Sequence, residues 1–123
     1  MSKILLIDDD APFSATLQRW LTLKGYDVVV ASNGRLGLEM VETEKPDLII
    51  TDVVMPELDG IELIMSLKKS SQTSNCKIIA ISGGGRLSGE FYLDMVKDLD
   101  IAYSMEKPLD LPVLEAKLGE LLE

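Results

Sequence analysis

The stretch KILLIDDD, residues 3–10, places four aliphatic residues directly before three adjacent carboxylates. An apolar run without polar alternation is typical of a strand that is buried on both faces of a parallel sheet. The three like charges repel one another, so either something offsets the repulsion or the side chains point in different directions. The stretch therefore predicts a buried strand that ends at a polar site.

Short aliphatic runs of the same kind recur along the chain. They are DVVVA at 27–31, DLIIT at 47–51, KIIAI at 77–81 and the weaker IAYSM at 101–105. Between them, apolar residues follow helical spacing. This alternation predicts an α/β fold, with a doubly wound, five-stranded parallel sheet in the order 2-1-3-4-5 and five helices, as in flavodoxin-like proteins.

Capping residues indicate where the helices begin and end. Gly25 is a candidate to end the first helix, Asn33-Gly34 opens the second and Asp59-Gly60 introduces the third. A fourth helix is expected over residues 88–98, and a fifth starts at Asp110-Leu111-Pro112. Asp10 is predicted to cap the first helix rather than to bind a metal.

Composition limits the class of protein. A chain of 123 residues that is 46% apolar predicts one folded domain over residues 1–123. The formal charge of −9 disfavours direct binding of nucleic acid, and without histidine a metal would be held by oxygen ligands. Cys76 is the sole cysteine, and no apolar run approaches the ~18 residues of a membrane span. We expect a cytoplasmic protein that does not bind membranes.

Polar side chains follow four of the five predicted strands. The first strand ends in Asp8-Asp9-Asp10, the third in Asp52, the fourth in Ser82 and the fifth in Lys107-Pro108. The carboxyl ends of parallel strands share one edge of the sheet, where ligands bind in such folds. We therefore expect these side chains to converge.

These residue types together suit phosphoryl transfer. Clustered carboxylates favour a hard divalent cation such as Mg²⁺, which would also offset their repulsion. An aspartate beside the metal can attack a phosphoryl group and form an acyl phosphate. Ser82 can donate to one phosphoryl oxygen, and Lys107 can neutralise another.

The chain resembles the receiver domain of bacterial two-component response regulators over essentially its whole length. The matching motifs, in order, are LLIDD at 5–9, TDVVMPELDG at 51–60, IIAIS at 78–82 and EKP at 106–108. The resemblance implies that Asp52 accepts the phosphoryl group, that Asp9 binds Mg²⁺ directly and that Asp8 acts mainly through water. It also implies that the backbone carbonyl of Val54 binds the metal. Ser82 and Lys107 are implied to contact the phosphoryl group.

The resemblance also implies partners. A phosphohistidine on a sensor histidine kinase or a histidine phosphotransfer protein would supply the phosphoryl group, and an unidentified downstream protein would respond in trans. We expect a monomer or weak dimer, with no enzymatic activity beyond the chemistry of its own phosphorylation and dephosphorylation. Because the predicted fifth helix reaches the last residue, we expect a stand-alone receiver. The alternative is a domain excised from a longer chain.

One position departs from the family pattern. Receivers usually carry Tyr or Phe three residues before the lysine, as a ring that turns inward on phosphorylation, and here that position is Ser104. Tyr103 lies one residue earlier. Neighbours along a strand point to opposite faces, so we do not expect Tyr103 to substitute.

Two other classes of protein share part of the pattern. A phosphatase or hydrolase with an aspartyl nucleophile would share the metal and the intermediate, but such enzymes typically place a second acid where this chain has Val54. A small flavin-binding module would share the fold. It would need a phosphate-binding loop after the first strand, and the three aspartates there would repel a phosphate.

Overall fold

The computed structural model describes residues 2–53, 60–69, 76–82 and 101–122. Its strands are β1 (Lys3–Ile7), β2 (Asp27–Ala31), β3 (Leu48–Asp52), β4 (Lys77–Ser82) and β5 (Tyr103–Glu106). Its helices are α1 (Ala11–Leu23), α2 (Gly34–Glu44), α3 (Gly60–Lys69) and α4 (Leu111–Leu122). The helix labelled α4 here is the one that the sequence predicted as the fifth. The helix expected over 88–98 lies outside the described residues, as does Val54. Within the described ranges, no helix has the length and apolar character needed to cross a bilayer.

The sheet confirms the predicted topology. All four strand pairs are parallel, and the strand order is β2-β1-β3-β4-β5. β5 begins two residues later than the apolar run suggested. The N–H of Ala102 already donates to the carbonyl of Ile78 at 2.8 Å, so hydrogen bonding to β4 starts before the regular strand does.

The apolar core lies in two layers, one on each face of the sheet. Ile4 and Leu6 of β1 pack with α1 and α4, whereas Leu5 and Ile7 pack with α2 and α3. All four side chains are fully buried, and each contributes about 1.5–3 kcal/mol by its removal from water. Burial on both faces explains why the run is continuously apolar.

Side-chain caps begin the helices at the predicted positions. The N–H of Phe13 donates to Asp10 Oδ1 at 3.1 Å. Asn33 and Asp110 accept equivalent bonds at the starts of α2 and α4. Gly25 follows the end of α1 with a φ of +99°, a conformation that glycine adopts without strain. The predicted capping role of Asp10 is confirmed.

Close packing of α2 on β1 depends on Gly37. A Cβ at this position would lie 2.5 Å from Cδ1 and 3.0 Å from Cγ1 of Ile7. Ile7 is fully buried, so its side chain has little room to move away.

We expect Gly37→Ala to lower the free energy of unfolding by about 1–2 kcal/mol, as measured by urea denaturation. Overpacking against Ile7 should outweigh the better helix propensity of alanine, which favours the variant by about 1 kcal/mol. In an Ile7→Val background, which lacks Cδ1, the same substitution should cost less. An equal cost in both backgrounds would contradict this explanation.

Candidate functional site

Strand ends bring the predicted polar residues to one edge of the sheet. Asp8 follows β1, Asp52 is the last residue of β3 and Ser82 is the last residue of β4. Asp52 pairs with Ile81, the neighbour of Ser82. Lys107 follows β5, and its N–H donates to the carbonyl of Ser82 at 2.8 Å. The convergence expected from the sequence is therefore present.

Three aspartates form a carboxylate cluster, which we define as Asp8, Asp9 and Asp52. One oxygen from each lies within 4.8 Å of the others. Asp8 and Asp52 are buried, whereas Asp9 is exposed, so solvent reaches one side of the cluster. An oxygen-only set with excess negative charge fits a hard divalent cation such as Mg²⁺.

The side chain of Lys107 lies against this cluster. Its ammonium is 2.8 Å from Asp8 Oδ2 and 3.4 Å from Asp52 Oδ2. The same ammonium lies 4.0 Å from the centroid of the Phe13 ring. Among the residues that the structure describes, this ammonium offsets only part of the charge of the three carboxylates, so their summed charge is negative.

Burial and pairing shift the pKa values of this ion pair. Burial raises the pKa of Asp8 above its ordinary 3.8, although the hydrogen bonds from Lys107 and from the N–H of Asp10 oppose the shift. For Lys107, burial lowers the pKa, but Asp8 and Asp52 outweigh it and leave the pKa above 10.5. Keeping Asp8 ionised in the folded protein therefore costs free energy even with Lys107 beside it.

Ser82 contributes a buried hydroxyl. Its side chain is fully buried, and Oγ has no hydrogen-bond partner among the residues that the structure describes. An unpaired buried hydroxyl costs about 1–3 kcal/mol. Ser14 on α1 carries a hydroxyl of the same kind. Ser82 differs from Ser14 because it stands at the end of a strand beside Asp52, where a ligand can accept its hydrogen bond.

The structure also shows where Asp10 and Tyr103 lie relative to the carboxylate cluster and the sheet. Asp10 accepts the cap hydrogen bond and is not part of the carboxylate cluster. Tyr103 packs in the layer of α1 and α4, with Lys117 Nζ 4.7 Å from its ring centroid. Ser104 pairs with Ala80, which faces the opposite layer. Tyr103 and Ser104 therefore face opposite layers of the sheet, as the alternation along a strand predicted.

Sequence reasoning missed the contact between Phe13 and Lys107. Phe13 lies on α1, and its ring is partly buried against the apolar layer of α1 and α4. Phe13 lies in the first turn of α1, which begins beside the carboxylate cluster. This is the one feature of the sequence that could have indicated the contact.

Comparison with known proteins gives a consistent family. The model of the family described as "Response regulator receiver domain" matches residues 4–119. A stretch of 67 residues is 49% identical to the alkaline phosphatase synthesis transcriptional regulatory protein PhoP of Bacillus subtilis, covering 54% of this chain and 28% of that protein. The chain spans about half or less of the length of the curated relatives it matches.

Solved structures share the fold over nearly the whole chain. The chemotaxis protein CheY4 of Vibrio cholerae superposes with a TM-score of 0.87 at 27% identity, covering 99% of both chains. The response regulator TrrA of Thermotoga maritima superposes with a TM-score of 0.85 at 25% identity, covering 99% of this chain and 100% of that chain. That structure is described as a complex with Mg²⁺-BeF.

We expect Asp8→Asn to raise the free energy of unfolding of the metal-free protein at pH 7. The raised pKa of Asp8 means that the folded protein binds this proton more tightly than the unfolded chain does. Wild-type stability therefore falls as the pH rises from 3.8 through the folded pKa of Asp8. Asp8→Asn does not lose stability in this way. The difference in free energy of unfolding between the variant and the wild type should therefore grow over that pH range.

Urea denaturation in a chelating buffer, at acidic and at neutral pH, measures this difference. Asp10→Asn, which neutralises an aspartate outside the carboxylate cluster, is the matched control and should not be stabilised. A variant Asp8→Asn that is less stable than the wild type at pH 7 would show that the ion pair with Lys107 outweighs the burial of the charge.

Proposed function

Because the chain belongs to the response regulator receiver domain family, we propose that it is the phosphoacceptor of a two-component or phosphorelay system, phosphorylated on Asp52. The observation that carries the proposal is the position of Asp52. Its carboxylate lies in a cluster with Asp8 and Asp9, 3.4 Å from the Lys107 ammonium. A nucleophilic carboxylate beside other acids and a cation suits transfer of a phosphoryl group to the protein.

Mg²⁺ is the proposed metal. Asp8, Asp9 and Asp52 would hold it, together with the backbone carbonyl of Val54 that the family resemblance implies. When bound, the ion would neutralise charge on the phosphoryl oxygens. Two observations support this choice: the oxygen-only carboxylate cluster, and the Mg²⁺-BeF complex described for TrrA.

The side chains have separable roles in the transfer. An oxygen of Asp52 attacks phosphorus, the bond from phosphorus to the donor's histidine nitrogen breaks, and that nitrogen keeps the electron pair. Lys107 can exchange a carboxylate partner for a phosphoryl oxygen, since its ammonium already lies beside Asp52. Ser82 can donate its unused hydrogen bond to another phosphoryl oxygen, which ends the cost of burying an unpaired hydroxyl.

The donor is proposed to be a phosphohistidine on a sensor histidine kinase or a histidine phosphotransfer protein. Such a partner must cover the carboxyl edge of the sheet to reach Asp52. Beside that edge, α1 and the segment 108–111 enclose an almost wholly apolar groove of about 160 Å³. Its lining includes Phe13, Thr16, Trp20, Pro108 and Leu109. We place part of the donor's contact surface there.

The output is proposed to pass in trans to a separate protein. Residues 1–123 would act as one cytoplasmic receiver domain, monomeric or weakly dimeric, and β5 and α4 would form part of the signalling surface. A formal charge of −9 disfavours direct contact with nucleic acid. The comparisons favour neither a phosphatase nor a flavin-binding module.

Incubation with Mg²⁺ and a small-molecule phosphodonor, followed by intact mass spectrometry, tests the phosphoacceptor role. We expect one added phosphoryl group on the wild type, and none with Asp52→Asn or with a chelator. Asp110→Asn, which alters an aspartate at the start of α4, is a control that should still be phosphorylated. A phosphoryl group on Asp52→Asn, or none on the wild type, would contradict the proposal.

A comparison of Ser82→Ala with Ser14→Ala distinguishes a role of Ser82 in phosphorylation from the general effect of removing a buried hydroxyl. Each substitution removes a buried hydroxyl without a partner in the described chain, so each should raise the free energy of unfolding by about 1 kcal/mol. Only Ser82→Ala should slow phosphorylation by the small-molecule donor, by about 10²-fold if the hydroxyl serves the transferred group. Equal rates for the two variants would exclude Ser82 from the chemistry.

Thr16→Arg tests the groove as a contact surface for the donor. Thr16 is exposed, so arginine should be tolerated there while it blocks an apolar side chain of the partner. We expect phosphotransfer from the cognate kinase to fall about tenfold or more, with small-molecule phosphorylation unchanged. Thr43→Arg, at an exposed position on α2, is the matched control. Equal transfer to both variants would place the donor elsewhere.

A further inference from the structure

We propose that Phe13 is a positioning residue that holds the Lys107 ammonium against Asp8 and Asp52, and so opposes binding of a divalent cation by the same carboxylates. The inference rests on the proposed Mg²⁺ site. It concerns a residue of α1 that neither binds the metal nor touches the phosphoryl group in the proposed function. Its basis is one aromatic contact and the ion pairs that share the same ammonium.

The ring and the ammonium are close enough for a cation–π interaction. Lys107 Nζ lies 4.0 Å from the ring centroid of Phe13, well within the ~6 Å over which this attraction acts. The side chain of Lys107 is 16% exposed, so water weakens the attraction less than at an open surface. Phe13 is itself fixed by the cap hydrogen bond to Asp10 and by packing against the core.

The ammonium already pairs with two of the carboxylates that would hold a cation. It lies 2.8 Å from Asp8 and 3.4 Å from Asp52, two of the three members of the carboxylate cluster. A divalent cation held by these carboxylates repels the ammonium and competes with it for their negative charge. An interaction that stabilises the ammonium beside Asp8 therefore favours the metal-free state. It lowers the affinity for the metal by the amount that it stabilises that state relative to the metal-bound state.

Phe13 makes such an interaction. Its ring attracts the ammonium in the arrangement paired with Asp8, and the attraction is lost when the ammonium withdraws. Phe13 would thus set the metal affinity of the site from outside the carboxylate cluster. Tyr103 and Lys117 make a similar contact at 4.7 Å, but neither belongs to the cluster, so that contact provides a control.

Titration of the full chain with MgCl₂, followed by calorimetry, tests the inference. We expect the Kd for Mg²⁺ to fall about two- to fivefold in Phe13→Leu, which keeps an apolar side chain but removes the ring face. Phe13→Tyr, which restores a ring, and Tyr103→Leu, which removes a ring away from the cluster, should both match the wild type. An unchanged or higher Kd in Phe13→Leu would overturn the proposal, as would an equal fall in Phe13→Tyr.

A spectroscopic measurement tests the displacement directly. In the metal-free protein the ε-methylene protons of Lys107 should show an upfield ring-current shift in NMR spectra, absent in Phe13→Leu. Saturating Mg²⁺ should reduce this shift in the wild type as the ammonium leaves the ring. A shift that persists at saturation would overturn the proposal, because the ring would then favour both states equally.

The outcomes distinguish this inference from the proposed function. If the wild type is phosphorylated on Asp52 with Mg²⁺ while Phe13→Leu binds Mg²⁺ as the wild type does, the role of Phe13 is wrong and the phosphoacceptor role stands. A wild type that binds no Mg²⁺ overturns both.

Discussion

Repulsion among the carboxylates at the edge of the sheet is the constraint on which the site depends. Asp8 and Asp52 are buried, Asp9 lies with them, and the ammonium of Lys107 offsets part of their charge. The pKa of Asp8 stays raised, mainly because its carboxylate is buried and to a smaller degree because the charge of Asp9 repels it. The fold therefore keeps a site whose remaining charge favours a cation, and a bound cation in turn favours an anionic phosphoryl group beside it.

The rest of the fold holds these charges in place. β1 is covered on both faces by fully buried aliphatic side chains, so its end cannot move apart from the neighbouring strands without exposing the core. Parallel pairing of β1, β3, β4 and β5 brings the functional groups to the same edge although they are distant in sequence. Stability from the two apolar layers thus offsets the electrostatic cost of the site.

The sequence predicted the features that local patterns determine. The continuous run at β1 and the caps at Asp10 and Asn33 follow from burial, periodicity and hydrogen bonding within a few residues. The strand order and the convergence of Asp52 with Lys107 followed from general rules for parallel sheets. Contacts that depend on side-chain direction between distant elements did not follow. The ring of Phe13 over Lys107, and the closer pairing of Lys107 with Asp8 than with Asp52, are of this kind.

A crystal structure of the chain grown with Mg²⁺ and beryllofluoride tests the central claim most directly. The account predicts a fluoroberyllate on the carboxylate of Asp52, a metal ion in contact with oxygens of the carboxylate cluster, and Lys107 moved from Asp8 towards the fluorines. An unmodified Asp52 under saturating conditions, or a metal ion bound away from Asp8 and Asp9, would contradict it.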